Sequence, residues 1–599
     1  MKRINADKKY QWDLSYLFTS DDDWTKALQN YISHYSKLYN LKGKLHQQEN
    51  FKQYVLLSEA GEILGAKLSQ YLHYGSLDTT DERFINLSNL MMNESLKIQT
   101  KMSFVEPELK QIGAEKIMQM LANDAELKNF EYDFRSFFEK VKYLLTEEQE
   151  ELLNNVAKTR STSYQLYDLL AYADKEKQYL DYDGEKQELT ESLATSIAQL
   201  SRPKEDQKLR RETSMLLNKH LITKKHSLAK VYEDIIQYSV EEVKLRNYES
   251  SLQASLLGDK VLPDMYITLL EVGKAYIHLY RRFIKIKQKY FQLDKFYATD
   301  SHLLMMNKTE NNKYTVMQGI AMVKAAFQPL GAEYLTMLDI ALLAGRIDYF
   351  EDTNKRGGAY SSSGKGVEPI ILMNWDDSLR SVATLAHELG HSVHTLFSNK
   401  YQPPNLAQYP IILAEVASTF NEHLLFKYLY TQAKEKDEQI YLLETRINDL
   451  MATFFRQIQF AKFEWEAHKL VEQEQPINAS ILAKLFKDVS IEYGYDVYDE
   501  IADDSIYIYA WPRILHFFNS SYYVYKYATS VTTSFKLYDD FEKGNKDNIL
   551  NFLKAGGHKE PMLILQDVVG IDLSLEATYV PLMEHLEQLL DELEKLLQL

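Results

Sequence analysis

Cysteine is absent from this chain of 599 residues, which excludes disulfides, thiolate nucleophiles and thiolate metal ligands together. Any metal site must use histidine and carboxylates. Proline and glycine are scarce, 12 and 21 residues, and the spaces between them are long apolar-periodic runs such as Asp22 to Lys42 and Asp264 to Tyr290. The chain is predicted to be mainly α. No run of roughly 18 apolar residues occurs, and the basic start MKRINADKKYQWDL lacks an apolar core region. No membrane partner is expected, and the cytoplasm is the expected compartment. Long Lys/Arg runs are missing too, and the net charge is -17, so the basic footprint of a nucleic-acid binder is not there. What is present, 45% apolar and 26% charged residues, is ordinary for a soluble globular protein long enough for a large core.

Along the chain, residues 1–110 read as amphipathic helices with a break near Gly75 to Asp81. Residues 111–200 contain FRSFFEKVKYLLTEEQEELL, where Thr146 and Gln149 suit a capping box. A looser stretch follows, in which Asp183 and Gly184 predict a turn or short hairpin. Helices resume after Arg202-Pro203 and fill 201–599, interrupted by a loop-rich segment from Gly345 to Gly366. The apolar run VEPIILMNW then predicts a strand, with Asp376, Asp377 or Ser378 as N-cap of the next helix. LKAGGHKEP reads as a helix C-cap and loop, and MEHLEQLLDELEKLLQL as a packed terminal helix.

The helix after the strand carries His387, Glu388 and His391. Histidines four apart lie on one helix face about 5–6 Å apart, so both imidazoles reach one metal ion. Glu388 is then placed to take a proton from a water at the open position. The extended motif with a third histidine would need glycine at 394 and histidine at 397, where the chain has His394 and Phe397. His394 therefore reads as a neighbour of the site or a surface residue. Two histidines with a glutamate form a common zinc set, and Glu415 stands among apolar neighbours in PIILAEVASTFNEHLLFKYL. A lone acid there is costly unless paired or metal-bound, which makes Glu415 the expected third ligand. Glu422, two turns on, is a candidate to hold a ligating histidine from behind, and Ser418 a weaker one. An oxyanion formed by attack on a carbonyl also needs a donor. WPRILHFFNSSYYVYKYATS offers His516 and tyrosines, with Tyr522 and Tyr525 on one helix face, although with 43 tyrosines in the chain core packing is the better explanation of such a cluster on the residues alone.

HELGHSVH, AEVASTFNEHLL, KRGGAYSSS, ILMNWDDS, HFFNSSYYVYKYATS and LKAGGHKEP, with TEEQEELLNNVAKTRSTSYQLYDLL and LRNYESS upstream, resemble the oligoendopeptidase F branch of the thimet oligopeptidase family of zinc peptidases. The resemblance covers nearly the whole chain. It implies one zinc per chain held by the residues matching His387, His391 and Glu415, with Glu388 as general base. It further implies a two-lobed helical body with a deep channel that admits short unstructured oligopeptides, and a small sheet beside the metal helix. The strand at PIILMN becomes the edge along which a substrate backbone pairs. His516, Tyr522 and Tyr525 become substrate and oxyanion contacts, with Tyr523 a rival because Phe517-Phe518 stand where the family often has tyrosine. The competing readings are a helical zinc carboxypeptidase and a non-catalytic peptide-binding scaffold.

Overall fold

The structure, a computed structural model, describes residues 3–146, 148–150, 152–153, 156, 162–306, 313–499 and 505–599. The chain forms two compact units, each assembled from three stretches. The first comprises Met1–Glu147, Asn311–Tyr428 and Leu537–Gly570, the second Glu148–Glu310, Leu429–Lys536 and Ile571–Leu599. As the scarcity of proline and glycine predicts, helices dominate. In chain order, the elements around the residues of interest are α1 (Asp21–Tyr39), α2 (Gln48–Leu72), β1 (Tyr179–Tyr182), β2 (Glu185–Glu188), α3 (Lys225–Arg246), α4 (Ser251–Gly258), α5 (Pro263–Ala275), β3 (Ile347–Phe350), β4 (Tyr360–Ser362), β5 (Ile370–Trp375), α6 (Leu379–Tyr401), α7 (Ile411–Gln432), α8 (Arg456–Glu472) and α9 (Tyr525–Glu542).

The run expected at Asp22 to Lys42 is α1, and the break near Gly75 is a short 3-10 turn, His73–Ser76. Asp264 to Tyr290 is two helices, α5 and Ile277–Phe291, parted at Tyr276. The hairpin at Asp183-Gly184 forms as β1 and β2, and both turn residues take positive φ, 53° and 82°, the mirror-type turn that suits the strand twist. The capping box expected at Thr146 opens a stretch that lies partly outside the described residues.

In the first unit, β5 is the predicted strand, but it is not an edge. The sheet order is β3-β5-β4, with β3 parallel and β4 antiparallel to β5. The outer strands are β3, which is buried, and β4, which is half-buried, and both arise inside the segment expected to be loop. Glycine and serine around Tyr360 gave no strand signal; pairing with β5 imposes the extended form. Ile370 and Leu372 bury one face of β5 in a cluster with Trp12, Trp24 and Leu68, and the Trp12 indole N–H donates to the Ile371 carbonyl at 2.8 Å. This fixes the sheet on which α6 begins. Ser378 is the N-cap, accepting from the Ser381 N–H, and Asp376 accepts from the hydroxyls of Ser378 and Ser381 at 2.5 and 2.6 Å.

Candidate metal centre

α6 directs His387 and His391 to one side, their Nε2 atoms 3.2 Å apart. From α7, Glu415 Oε2 lies 3.4 Å from the first and 3.6 Å from the second. One donor atom from each of the three lies within 4.8 Å of the others, the set and spacing that a tetrahedral zinc site with one open position requires. This close approach depends on Gly390. A Cβ at that position would stand 2.5 Å from the Ser418 Cα and 2.8 Å from the Ala417 carbonyl oxygen, so the two helix backbones touch where the ligands meet. Asn421 pins the same crossing: its Nδ2 donates to the Ala386 carbonyl at 3.0 Å, and its Oδ1 accepts from the buried Tyr334 hydroxyl at 2.7 Å. Sequence reasoning missed Asn421; an amide among apolar neighbours on α7 was the available signal.

Glu422, two turns beyond Glu415, lies 2.7 Å from His387 Nδ1. A carboxylate there fixes the ring and leaves Nε2 free to act as donor. Ser418 Oγ donates to Glu415 Oε2 at 3.3 Å. Burial disfavours charge on His387, but hydrogen bonds and charge from Glu415 and Glu422 outweigh it and lift the pKa well above the ordinary imidazole value. Burial, reinforced by His387, lowers His391 to about 4. Burial raises Glu415, yet the two imidazoles bring it down to about 2. Glu388 is buried, and burial first, with Glu415 adding to it against His387, raises its pKa to about 7. A carboxyl poised there takes and gives a proton near neutral pH.

His394 is in the interior, its ring stacked on Tyr409 at 3.8 Å and near Phe552 at 5.2 Å. It is not a surface histidine. Tyr409, whose hydroxyl meets Thr395 Oγ1 at 3.0 Å, directly precedes the turn into α7, so the stack ties the two ligand-bearing helices. LKAGGHKEP behaves as expected: Gly556, at φ 55°, ends the helix Asp547–Ala555. It packs where a Cβ would stand 2.5 Å from Ser398 Oγ of α6.

The remaining expected residues lie in the second unit and divide into two groups. Tyr522 and Tyr525 are 2% and 0% exposed. The Tyr522 phenol is paired with the Ser251 hydroxyl at 2.9 Å, and Tyr525 donates to Asp259 at 2.8 Å. Neither presents its phenol to a substrate in this structure, because buried Phe517, Phe518 and Val524 set the inward phase of the segment. His516 is half-buried, stacked on Tyr523 with ring centres 5.3 Å apart, and its Nε2 is 3.4 Å from the Tyr527 hydroxyl. Burial lowers its pKa.

Residues 200–580 match the family model described as peptidase family M3, and residues 108–176 match that described as oligopeptidase F. The oligopeptidase PepF of Bacillus subtilis is 28% identical over 593 residues, spanning 98% of this chain and 87% of that protein. Solved structures share the fold, two of them closely enough to compare over nearly the whole chain. One, from Chlamydophila abortus, has TM-score 0.87 and 26% identity over 99% of both chains; the other, oligoendopeptidase-F from Enterococcus faecium, has TM-score 0.73 and 22% identity over 96% of this chain and 99% of that one.

Proposed function

The chain belongs to peptidase family M3 and is a metallopeptidase, and from that premise we propose that it hydrolyses internal bonds of short, unstructured oligopeptides with one zinc held by His387, His391 and Glu415. The observation that carries this reading is the meeting of three zinc-type donors from two helices within 4.8 Å, with the buried acid Glu388 next to one of them in the chain. A zinc ion bound there supplies Lewis acidity to the scissile carbonyl and to the attacking water.

The chain's own groups carry the rest. Glu388 takes the water's proton and returns it to the leaving amine. Glu422 holds His387 in the tautomer whose Nε2 is a donor to metal. The outer edge of β4 at Tyr360–Ser362 offers main-chain hydrogen bonds to an extended peptide, in place of the edge expected at PIILMN. His516 and Tyr523 are the groups we assign to the oxyanion; Tyr522 and Tyr525 join them only by exchanging Ser251 and Asp259 for substrate. The enzyme acts in the cytoplasm in this reading. Among the described residues no helix is long and apolar enough to cross a membrane.

The test is Glu388→Gln assayed on an end-blocked, internally quenched peptide, with zinc measured on the same preparation. Zinc content stays stoichiometric while turnover falls at least about 10³-fold, within the usual range for loss of a general base. Near-normal hydrolysis overturns the assignment. The end-blocked substrate also separates this activity from release of single C-terminal residues.

A further inference from the structure

Three residues of α8 spaced by four, Glu464, His468 and Glu472, form one stripe along the helix, and all three bear on Tyr522. Glu464 and His468 are 1% and 0% exposed; the Glu464 carboxyl has only the Tyr522 backbone N–H turned towards it, and neither His468 ring nitrogen has a hydrogen-bond partner. The His468 ring is 4.7 Å from that of Tyr522. Glu472 accepts from the Ser251 backbone N–H at 2.6 Å, and the Ser251 hydroxyl holds the Tyr522 phenol. From α5, Tyr266 donates to the Ala461 carbonyl of α8 at 2.8 Å and packs edge-on against Tyr522.

Tyr522 has φ 55°, a left-handed conformation that a bulky aromatic adopts only when its surroundings over-determine it. Its neighbours in sequence divide accordingly. Phe517, Phe518 and Val524 point inward, and Phe518 stacks on Tyr167 at 3.8 Å, while His516, Tyr523 and Tyr527 are half-buried. A buried imidazole without a partner and a buried acid with a single N–H are costly, and packing alone gives no reason to keep them.

We propose that Glu464, His468 and Glu472 are positioning residues for the peptidase reaction: they hold Tyr522 in its left-handed turn and so set the direction in which His516 and Tyr523 are presented. This rests on the reading that the His516 segment meets the substrate. Glu464 works in this role as a neutral acid, since burial pushes its carboxyl up to about 8, the Tyr522 backbone N–H opposing. The titratable groups facing it are Tyr232 from α3, Tyr266 from α5 and Tyr522, with His468 on its own helix. Among the described residues no cation offsets it. Ionisation of Glu464 would place a buried charge against the turn with only the Tyr522 N–H to offset it.

The experiment compares wild type, Glu464→Gln and Ser251→Ala as full-length, zinc-loaded enzyme on the end-blocked peptide from pH 6 to pH 10. Wild-type kcat falls along an alkaline limb near pH 8, and Glu464→Gln, which keeps the shape but cannot ionise, loses that limb. Ser251→Ala, which frees the Tyr522 phenol, lowers kcat about tenfold with KM and zinc content unchanged. A limb retained in Glu464→Gln, or a Ser251→Ala kcat within twofold of wild type, overturns the proposal. Should Glu464→Gln not fold, Glu472→Ala, which takes the acceptor from the Ser251 N–H, replaces it: kcat lowered with KM unchanged supports the proposal, and kcat within twofold of wild type overturns it. If Glu388→Gln turns over normally, the zinc-hydrolase reading fails whatever these variants do; if it is inactive and the limb persists, only the positioning role fails.

Discussion

The helices α6 and α8 each carry a histidine paired with a metal-ligand residue type four positions away, and the two pairs have opposite fates. On α6, His387 and His391 meet Glu415 and Glu422 from α7. On α8, His468 meets the Tyr522 ring and finds no hydrogen-bond partner, and Glu464 finds only the Tyr522 backbone N–H. Helical spacing aligns two side chains in both places; it does not by itself make a metal centre. The facing helix decides, because a second element must bring the third donor and pay the desolvation of the first two. In the α6 pair the acids reverse the effect of burial on His387. In the α8 pair burial acts almost alone, lowering His468 to about 3 and raising Glu464 to about 8.

The strongest way to break this contrast is to make the first pair resemble the second. Glu415→Gln removes the third anionic donor, and zinc affinity should fall by more than the roughly 10–100-fold that loss of an outer partner costs. Competition with a chelator measures this directly, and unchanged affinity would remove Glu415 from the ligand set. Glu422→Ala should cost less, about 10–100-fold in the same titration, because His387 keeps its metal-facing nitrogen and loses only its orientation. If both variants lose equally, the distinction between donor and holder is wrong.

Gly390→Ala tests how the facing helix is brought in. The added Cβ meets the backbone of Ser418 and Ala417, which cannot rotate away as a side chain could. The expected loss is about 1–3 kcal/mol of stability, together with weaker zinc binding as α7 moves outward. A denaturant midpoint equal to wild type would show that the crossing tolerates the extra carbon.

How much of this was legible in sequence follows the same division. The meeting of His387, His391 and Glu415 was legible because short-range helical geometry and the cost of a lone acid name them without tertiary knowledge. The mainly α fold, the strand before α6 and the hairpin at Gly184 were legible from punctuation and period. β3 and β4 were not, since their extended form comes from pairing with β5 and not from their glycine-rich and serine-rich residues. The inward direction of Tyr522 and Tyr525 was also hidden: the single helix face expected for them does not form, because Tyr522 stands at φ 55° in a turn before α9, and their burial depends on Ser251 and Asp259, more than 250 positions away in the chain. The partnerless state of His468, and the lack of any cation beside Glu464, leave no mark in sequence at all.

The smallest expected change is a slope, and it sharpens the contrast from the α8 side. Folding raises Glu464 above its ordinary value of 4.5 to about 8, so the folded chain holds a proton that the unfolded chain releases. Its contribution to stability is full below pH 4.5 and is lost as pH rises through about 8. His468 has the opposite sign: folding lowers it from 6.5 to about 3, so its contribution is full above pH 6.5 and is lost as pH falls. Between pH 6.5 and pH 8 the His468 contribution is nearly constant and the slope belongs to Glu464. Urea midpoints of wild type and Glu464→Gln across that interval should therefore diverge, the wild type falling relative to the variant as pH rises, while shared titrations elsewhere cancel in the difference. Parallel midpoints would mean that Glu464 is satisfied and ionised in the folded protein, and the two helix pairs would then differ far less than their geometry states.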